Sequence, residues 1–309
     1  MLIQDYRASK ILFNFLKSQN IEKPFLIPAN VCGIIPLVFN NAGISFDFVD
    51  IQEDNLCIDQ EFILNNTDNY SGVLFVRTYG NDEDFDSFFK TIKDNKNDFL
   101  IIDDCCLCLP QMETTIKNID LKLYSLGYAK QVDLGVGAFA FLNDSLIYKN
   151  FTTSYNPSDF ERYELALKKS IKENTHFVCD NYNFLQNISY KVDKQVLKDK
   201  IQSSIKHKAQ LNEIYRTQLP ILIQMDERFQ QWRFNILVDP ALKNAILEEL
   251  FRNKLFASSH YYPLSNVWSN KECNVSMFLS KSVINLFNDF YYTEEQAVET
   301  CKIINRIIK

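Results

Sequence analysis

Four short apolar runs in the first third of the chain constrain its fold more than any other feature. Segments with helical periodicity separate these runs from one another. Strands buried on both faces have this character, because a parallel sheet covered by helices leaves no strand with a polar side. The sequence therefore predicts an α/β domain with a mostly parallel central sheet, whose strands lie at 25–28, 45–51, 73–78 and 99–103.

The segments that flank these runs carry apolar residues at the spacing of amphipathic helices, which predicts helices over 7–19, 31–40 and 82–93. All seven glycines lie within the first 137 residues. Glycine allows a backbone to approach a ligand closely, and ligands of parallel sheets bind beyond the carboxyl ends of the strands. We therefore expect the site in the first half, after the run at 99–103.

The second half has a different character, with charged helical segments and fewer apolar runs. Pro240 suits the first turn of a helix, and Thr293 is placed as the N-cap of the last one. The predicted elements are helices at 159–174, 191–217, 240–253 and the C-terminus, and a strand at 231–239. These elements predict a small C-terminal α+β domain, 201–309, that packs on a large domain, 1–200.

Charge and composition exclude several classes of function. The formal net charge is −6 and the sequence has no basic run, which argues against a nucleic-acid partner. No stretch approaches the ~18 apolar residues of a membrane span, and the first ten residues do not read as a secretory signal. Eight cysteines in 309 residues are too sparse for a disulfide scaffold. We expect a cytoplasmic protein without a membrane partner.

Two segments carry candidate chemistry. Asp103 and Asp104 lie at the carboxyl end of a predicted buried strand, and further along Ser125 and Lys130 precede a pair of glycines. Such a lysine could react with the aldehyde of a cofactor while the serine holds the phosphate of that cofactor. A carboxylate at the strand end could then pair with a pyridinium nitrogen. On spacing alone, a solvated surface lysine remains the alternative.

Ordered segments along most of the chain add a more specific indication. They match family motifs such as "VIVP", "H-x-YG", "IEDAA", "GEGG" and "HYxPL". The segments are Phe25–Pro28, Asn41–Gly43, Phe48–Asp50, Thr78–Gly80, Ile102–Cys106, Ser125–Lys130, Gly135, Gly137, His260–Leu264 and Ser282–Leu286. In this set the chain resembles the DegT/DnrJ/StrS family of sugar aminotransferases, which depend on pyridoxal phosphate (PLP). The resemblance implies the fold of aspartate aminotransferase.

The resemblance also implies roles for individual residues. Lys130 would bind PLP covalently and later carry a proton between substrate and cofactor. Asp104 would meet the pyridine nitrogen, whereas Asp103 would serve the fold. The implied cofactor-binding residues are Arg7, Ala8, Cys32, Asp104, Ser125, Lys130 and Asn181, and the implied substrate residues are Tyr79 and His260.

The family's ordinary reaction supplies the expected partners. Glutamate would donate the amino group, and the acceptor would be a keto-sugar linked to a nucleotide, in polysaccharide or secondary-metabolite biosynthesis. Asn181 falls in a loop that reaches the phosphate site of a neighbouring subunit in the family. A homodimer with shared active sites is therefore implied.

Several positions depart from the family pattern. The turn "SGTxAL" has no plain counterpart, and Asp5–Ser9 occupies its position. Arg7 there could hold a phosphate at a helix N-terminus, or could simply be exposed. Cys32 stands where a ring-stacking aromatic residue is common, Leu107 replaces Gln or His, and Asn183 replaces the Arg of "NYRM". Two alternatives stay open: a PLP enzyme acting on another small keto compound, or a non-catalytic partner subunit.

Other candidate residues favour structural roles. Cys105, Cys106 and Cys108 lack a second Cys or His pair at ligand spacing, so we expect buried thiols and no metal. His260 could line the substrate cleft or make a structural hydrogen bond. The aromatic runs 85–89 and 287–292 favour a position in the core or on a dimer surface over one at a cofactor.

Overall fold

The large sheet lies in the first half of the chain. In the computed structural model, which describes residues 1–114 and 116–309, this sheet has seven strands in the order β1-β7-β6-β5-β4-β2-β3. Strand β7 is antiparallel to both neighbours and the other pairs are parallel. The strands are β1 (Leu2–Asp5), β2 (Phe25–Pro28), β3 (Phe46–Val49), β4 (Gly72–Val76), β5 (Leu100–Asp104), β6 (Leu121–Ser125) and β7 (Ala138–Leu142). The predicted mostly parallel sheet is confirmed.

Helices cover both faces of this sheet. Their bounds are α1 (Ala8–Ser18), α2 (Ile34–Ala42), α3 (Gln60–Asn66), α4 (Asp86–Asn95) and α5 (Asp159–Glu173). Side chains alternate along a strand, so β4 sends Leu74 towards the core under α1, α2 and α5, and Phe75 towards the core under α3 and α4. This two-sided burial explains why the strands read as continuous apolar runs.

The aromatic run 85–89 lies in the core under α4, which is one of the two positions that the sequence favoured. Phe85, Phe88 and Phe89 are buried and pack around Phe75, with ring centroids 4.7 to 5.8 Å from it. Burying a phenylalanine side chain contributes about 1.5–3 kcal/mol, so this cluster is a major part of what holds α4 on the sheet.

The C-terminal part of the chain forms a second, smaller α+β unit. An antiparallel sheet in the order β8-β10-β9 packs against α6, α7 and α10. The strands are β8 (Phe234–Leu237), β9 (Ala257–Ser258) and β10 (Val283–Leu286). The helices are α6 (Lys194–Gln218), α7 (Pro240–Arg252), α8 (Ser265–Trp268), α9 (Asn274–Ser282) and α10 (Glu294–Ile307). Short 3-10 turns lie at Thr67–Asn69, Thr78–Gly80, Ile221–Ile223 and Glu227–Phe229.

The helix termini follow the capping residues that the sequence indicated. Pro240 opens α7, and Thr293 forms a reciprocal capping box with Gln296 at the start of α10. Helix α6 continues across residue 200, the predicted boundary between the two domains. The division into 1–200 and 201–309 stays a prediction. In the described part of the chain, no helix is long and apolar enough to cross a membrane.

Candidate active site

A cavity of about 640 Å³ lies at the carboxyl edge of the large sheet. Val76, Asp104 and Ser125 line it from the ends of β4, β5 and β6. The loop that follows β2 supplies Val31 and Cys32, and the start of α1 closes another side. The carboxyl ends of parallel strands meet at this edge, which is where ligands of open α/β sheets bind.

The adjacent carboxylates of β5 point to opposite faces of the sheet. Asp104 lines the cavity, and its Oδ1 accepts a hydrogen bond of 2.9 Å from the N–H of Cys106. Asp103 lies on the other face, where Nε and Nη2 of Arg77 donate to its two oxygens at 2.8 and 3.1 Å. Lys122 lies 3.6 Å from the same carboxylate. The prediction that Asp103 serves the fold agrees with this pairing.

Burial raises the pKa of the Asp104 carboxyl above its ordinary value, and the hydrogen bond from Cys106 and the nearby charge of Lys130 act against that rise. A cationic group bound beside this carboxylate would compensate the burial.

Lys130 lies on the loop between β6 and β7 and lines the same cavity. The loop closes on itself, because Leu126 donates to the carbonyl of Gly137 and Leu134 donates to that of Leu126, both at 2.8 Å. Among the described residues, no group forms a hydrogen bond or an ion pair with Nζ of Lys130. Its amine is thus available to a ligand in the cavity.

A cradle for an anion forms where α1 meets this loop. Arg7 is the N-cap of α1, and Nη1 of Arg7 donates to the carbonyl of Gly135 at 3.1 Å. The close approach of Gly127 shows how tight the cradle is. A Cβ on Gly127 would lie 2.9 Å from Nη1 of Arg7 and 3.9 Å from Oγ of Ser125. A guanidinium, a hydroxyl and the free amides of a helix N-terminus are a combination that binds phosphate.

The walls of the cavity are mainly apolar. Its apolar lining includes Leu107, Cys32, Tyr261, Phe160 and Phe184. Burial raises the pKa of the Cys32 thiol, so this residue presents a neutral sulfur to the cavity.

The structure brings together six of the nine residues that the sequence indicated for a site. Arg7, Ala8, Cys32, Asp104, Ser125 and Lys130 all line the cavity.

The other three indicated residues, Tyr79, Asn181 and His260, are not among the residues that line it. Tyr79 is fully buried behind the cavity and donates a hydrogen bond to the carbonyl of His260. Asn181 is exposed, and its implied role concerns a second subunit.

Sequence reasoning did not select Tyr261, which lines the cavity beside His260. The imidazole of His260 turns away and lies 3.4 Å from Oδ1 of Asn285. Burial lowers the pKa of His260 to about 4, so the ring is neutral at neutral pH. The sequence signal for Tyr261 was present in the tyrosine-rich turn 260–262, but the motif did not show which side chain faces inward.

No metal site accompanies these residues in the part of the chain that the structure describes. No group of three or more His, Cys, Asp or Glu side chains there could hold a metal ion. Cys105 is buried, as expected, whereas Cys106 and Cys108 are half-buried.

Comparison with known proteins gives matches at the level of structure. No protein-family model and no curated protein matches the sequence. A DegT DnrJ EryC1 StrS aminotransferase from Brucella abortus superposes with a TM-score of 0.70 at 14% identity, covering 99% of this chain and 86% of that one. Spr1654 from Streptococcus pneumoniae, in its PLP form, gives 0.71 at 16% identity, covering 100% and 88%.

DesI, solved in the presence of its TDP-sugar product, gives a TM-score of 0.75 at 12% identity, covering 99% of this chain and 80% of that one. At such identities these matches show the fold. The predicted aspartate-aminotransferase-like fold is therefore confirmed. One of the proteins with this fold, the Brucella abortus aminotransferase, is named after the family that the sequence resembles.

Proposed function

We propose that this protein is a PLP-dependent aminotransferase that transfers an amino group to a sugar-like keto substrate. One observation supports the proposal most directly. Arg7, Asp104, Ser125 and Lys130 come from three separate segments of the chain, yet all four line one cavity. Together they would meet three parts of PLP: Arg7 and Ser125 its phosphate, Asp104 its ring nitrogen, and Lys130 its aldehyde.

The fit to the phosphate rests on the cradle at the start of α1. Arg7 and Ser125 would hold the phosphate oxygens, and the N-terminal amides of α1 would add hydrogen bonds and a favourable helix dipole. A guanidinium is a strong partner for phosphate because it offers several donors in one plane. In this way Arg7 would replace the turn that the family uses.

The fit to the ring rests on Asp104 and the walls. The carboxylate would keep the ring nitrogen protonated, and Cys32 would lie against the ring. When bound, PLP supplies an electron sink for a carbanion at the substrate carbon. Lys130 would first hold the cofactor and would then move the proton from that carbon with its Nζ. Apolar side chains around it would exclude water from this step.

The finer assignments are also proposals. The family resemblance supports glutamate as the donor and a nucleotide-linked keto-sugar as the acceptor. The TDP-sugar product in the DesI structure supports the same class of acceptor. A homodimer, in which Asn181 of each subunit approaches the phosphate cradle of the other, is part of this proposal.

The test follows the two halves of the reaction. Purified protein is loaded with PLP, and glutamate is added while the visible absorption band of the bound cofactor is recorded. We expect the band to disappear as the cofactor becomes pyridoxamine phosphate, and to return when a suitable keto substrate is added. Loss of the band with another amino acid but not with glutamate would correct the donor.

A panel of acceptors then separates the remaining alternatives. Return of the band with a nucleotide-linked keto-sugar, and not with small keto acids, would support the proposed acceptor class. The reverse pattern would favour the alternative of a small keto substrate. If no amino acid discharges the band, aminotransfer is refuted, and a non-catalytic partner subunit becomes the better account.

A further inference from the structure

The backbone on both sides of Lys130 is held by residues from the C-terminal part of the chain. The carbonyl of Ala129 accepts a hydrogen bond of 2.6 Å from Nε1 of Trp232. The carbonyl of Gln131 accepts one of 2.8 Å from Oγ of Ser204. Trp232 precedes β8 and Ser204 lies in α6, so neither donor belongs to the large sheet that frames the cavity.

Ala129 is in a conformation that needs such support. Its φ is +58°, in the left-handed region, which costs a residue with a Cβ about 1–2 kcal/mol. The alanine side chain is exposed, so core packing does not hold it there. Two hydrogen bonds fix it instead: the N–H of Ala129 donates to Oδ2 of Asp133 at 3.1 Å, and its carbonyl accepts from Trp232.

The bond from Trp232 acts directly on Lys130. The carbonyl of Ala129 and the N–H of Lys130 belong to one planar peptide group, so fixing the carbonyl fixes the plane from which the Lys130 side chain departs. The hydroxyl of Ser204 fixes the carbonyl of Gln131, which lies one peptide group beyond the one that follows Lys130. The amine therefore enters the cavity from a backbone that is restrained on both sides.

Trp232 is itself well anchored. It is 3% exposed, and Lys208, a buried lysine, donates to the carbonyl of Trp232 at 2.8 Å. The indole stacks on Tyr79, with ring centroids 6.2 Å apart and planes at 8°. The ring of His260 meets the indole edge-on, with centroids 5.5 Å apart. Because both the backbone and the indole of Trp232 are held in place, its N–H can restrain the peptide group to which it donates.

We infer that Trp232 is a positioning residue for Lys130, and that Ser204 supports the same loop from its other side. This inference rests on the proposed role of Lys130 as the group that joins the cofactor. Trp232 is not among the residues that line the cavity, and it acts through the carbonyl of Ala129. Docking of the C-terminal unit on the large sheet is thus coupled to the geometry of the reactive amine.

The test separates the reaction of Lys130 from the binding of the cofactor. Trp232→Phe keeps an aromatic ring against Tyr79 and removes the N–H donor. Two quantities are measured on the same protein, namely the rate at which added PLP develops its visible band and the affinity for pyridoxamine phosphate. Pyridoxamine phosphate has an amine in place of the aldehyde, so its affinity does not require attachment to Lys130.

We expect the rate of PLP attachment to fall about tenfold in Trp232→Phe, which corresponds to the loss of one good hydrogen bond. The affinity for pyridoxamine phosphate should stay within about twofold, since the phosphate cradle is untouched. Ser204→Ala should slow attachment about threefold, and Ser204→Thr, which keeps a hydroxyl, should restore the wild-type rate.

Each other outcome has a distinct meaning. A wild-type rate in both Trp232→Phe and Ser204→Ala overturns the inference and leaves the proposed function intact. An equal loss of attachment rate and pyridoxamine phosphate affinity also overturns it, because Trp232 would then shape the whole cavity. If wild-type protein binds neither form of the cofactor, the proposed function itself is refuted. Should Trp232→Phe fail to fold, the Ser204→Ala and Ser204→Thr pair decides the inference alone.

Discussion

Gly127 offers the sharpest way to disturb the anion cradle without disturbing the fold. A Cβ at this position would lie 2.9 Å from Nη1 of Arg7, which is about 0.5 Å closer than ordinary van der Waals contact. The atom that must move is the end of a flexible side chain. Gly127→Ala should therefore push the guanidinium of Arg7 out of the cradle while the backbone stays in place.

Gly127→Ala should weaken ligand binding and leave the stability of the fold nearly unchanged. A hydrogen bond from a charged donor contributes about 1.5–3 kcal/mol, so its loss should weaken pyridoxamine phosphate binding by at least about tenfold. The unfolded chain loses entropy when glycine becomes alanine, which stabilises the fold by about 0.4–1 kcal/mol. The lost bond from Arg7 to the carbonyl of Gly135 offsets a similar amount. The free energy of unfolding of the apo protein should thus change by less than about 1 kcal/mol.

The assay is equilibrium binding of pyridoxamine phosphate, with urea unfolding of the apo protein measured in parallel. Gly43→Ala is a matched control, since Gly43 has a φ of +73° and a Cβ added there would meet no atom within 4 Å. That variant should lose about 1 kcal/mol of stability and keep wild-type affinity. Unchanged affinity in Gly127→Ala would refute the cradle, and so would a loss of affinity that merely accompanies a large loss of stability.

Two further predictions concern stability. Arg77→Met should destabilise the protein by about 3–5 kcal/mol in urea unfolding, because the buried Asp103 then keeps only the ion pair with Lys122, at 3.6 Å. The control Lys302→Met breaks an exposed ion pair and should cost less than about 1 kcal/mol. Equal effects of the two variants would contradict the buried pairing. The pKa of His260 is about 4 in the folded protein, below its ordinary value of 6.5. Between pH 4 and pH 6.5 the imidazole is therefore protonated in the unfolded chain and neutral in the folded one. The free energy of unfolding should then fall as the pH drops from 6.5 towards 4. His260→Gln should remove that part of the pH dependence in unfolding measured across this range, and an unchanged slope would count against a buried, neutral imidazole.

The strands were predictable because burial on both faces leaves a strong local signal. The ends of the helices were harder to predict than the strands. The predicted helix at 31–40 begins only at Ile34, because the preceding residues form a loop along the cavity. The N–H of Ala29 donates to Val49, and its carbonyl accepts from Leu264. Val31 and Cys32 are apolar because they line the cavity, so composition alone made them look like part of the helix.

The candidate site was predictable where a local motif fixes a residue. Asp104 is the last residue of a buried strand, and Lys130 keeps its spacing from Ser125, so both could be selected from the sequence. The position of Trp232 could not be, because its bond to Ala129 joins residues 103 positions apart. No local pattern carries a contact of that length, and it depends on how the two units of the chain pack together.

The central claim is that Lys130 binds PLP in the cavity it shares with Asp104, Ser125 and Arg7. The most direct measurement is the visible absorption spectrum of the purified protein with added PLP, recorded beside that of Lys130→Ala. We expect an absorption band in the wild type that is missing from the variant, while both proteins bind pyridoxamine phosphate. A wild-type protein that stays colourless, or a variant that develops the same band, would contradict it.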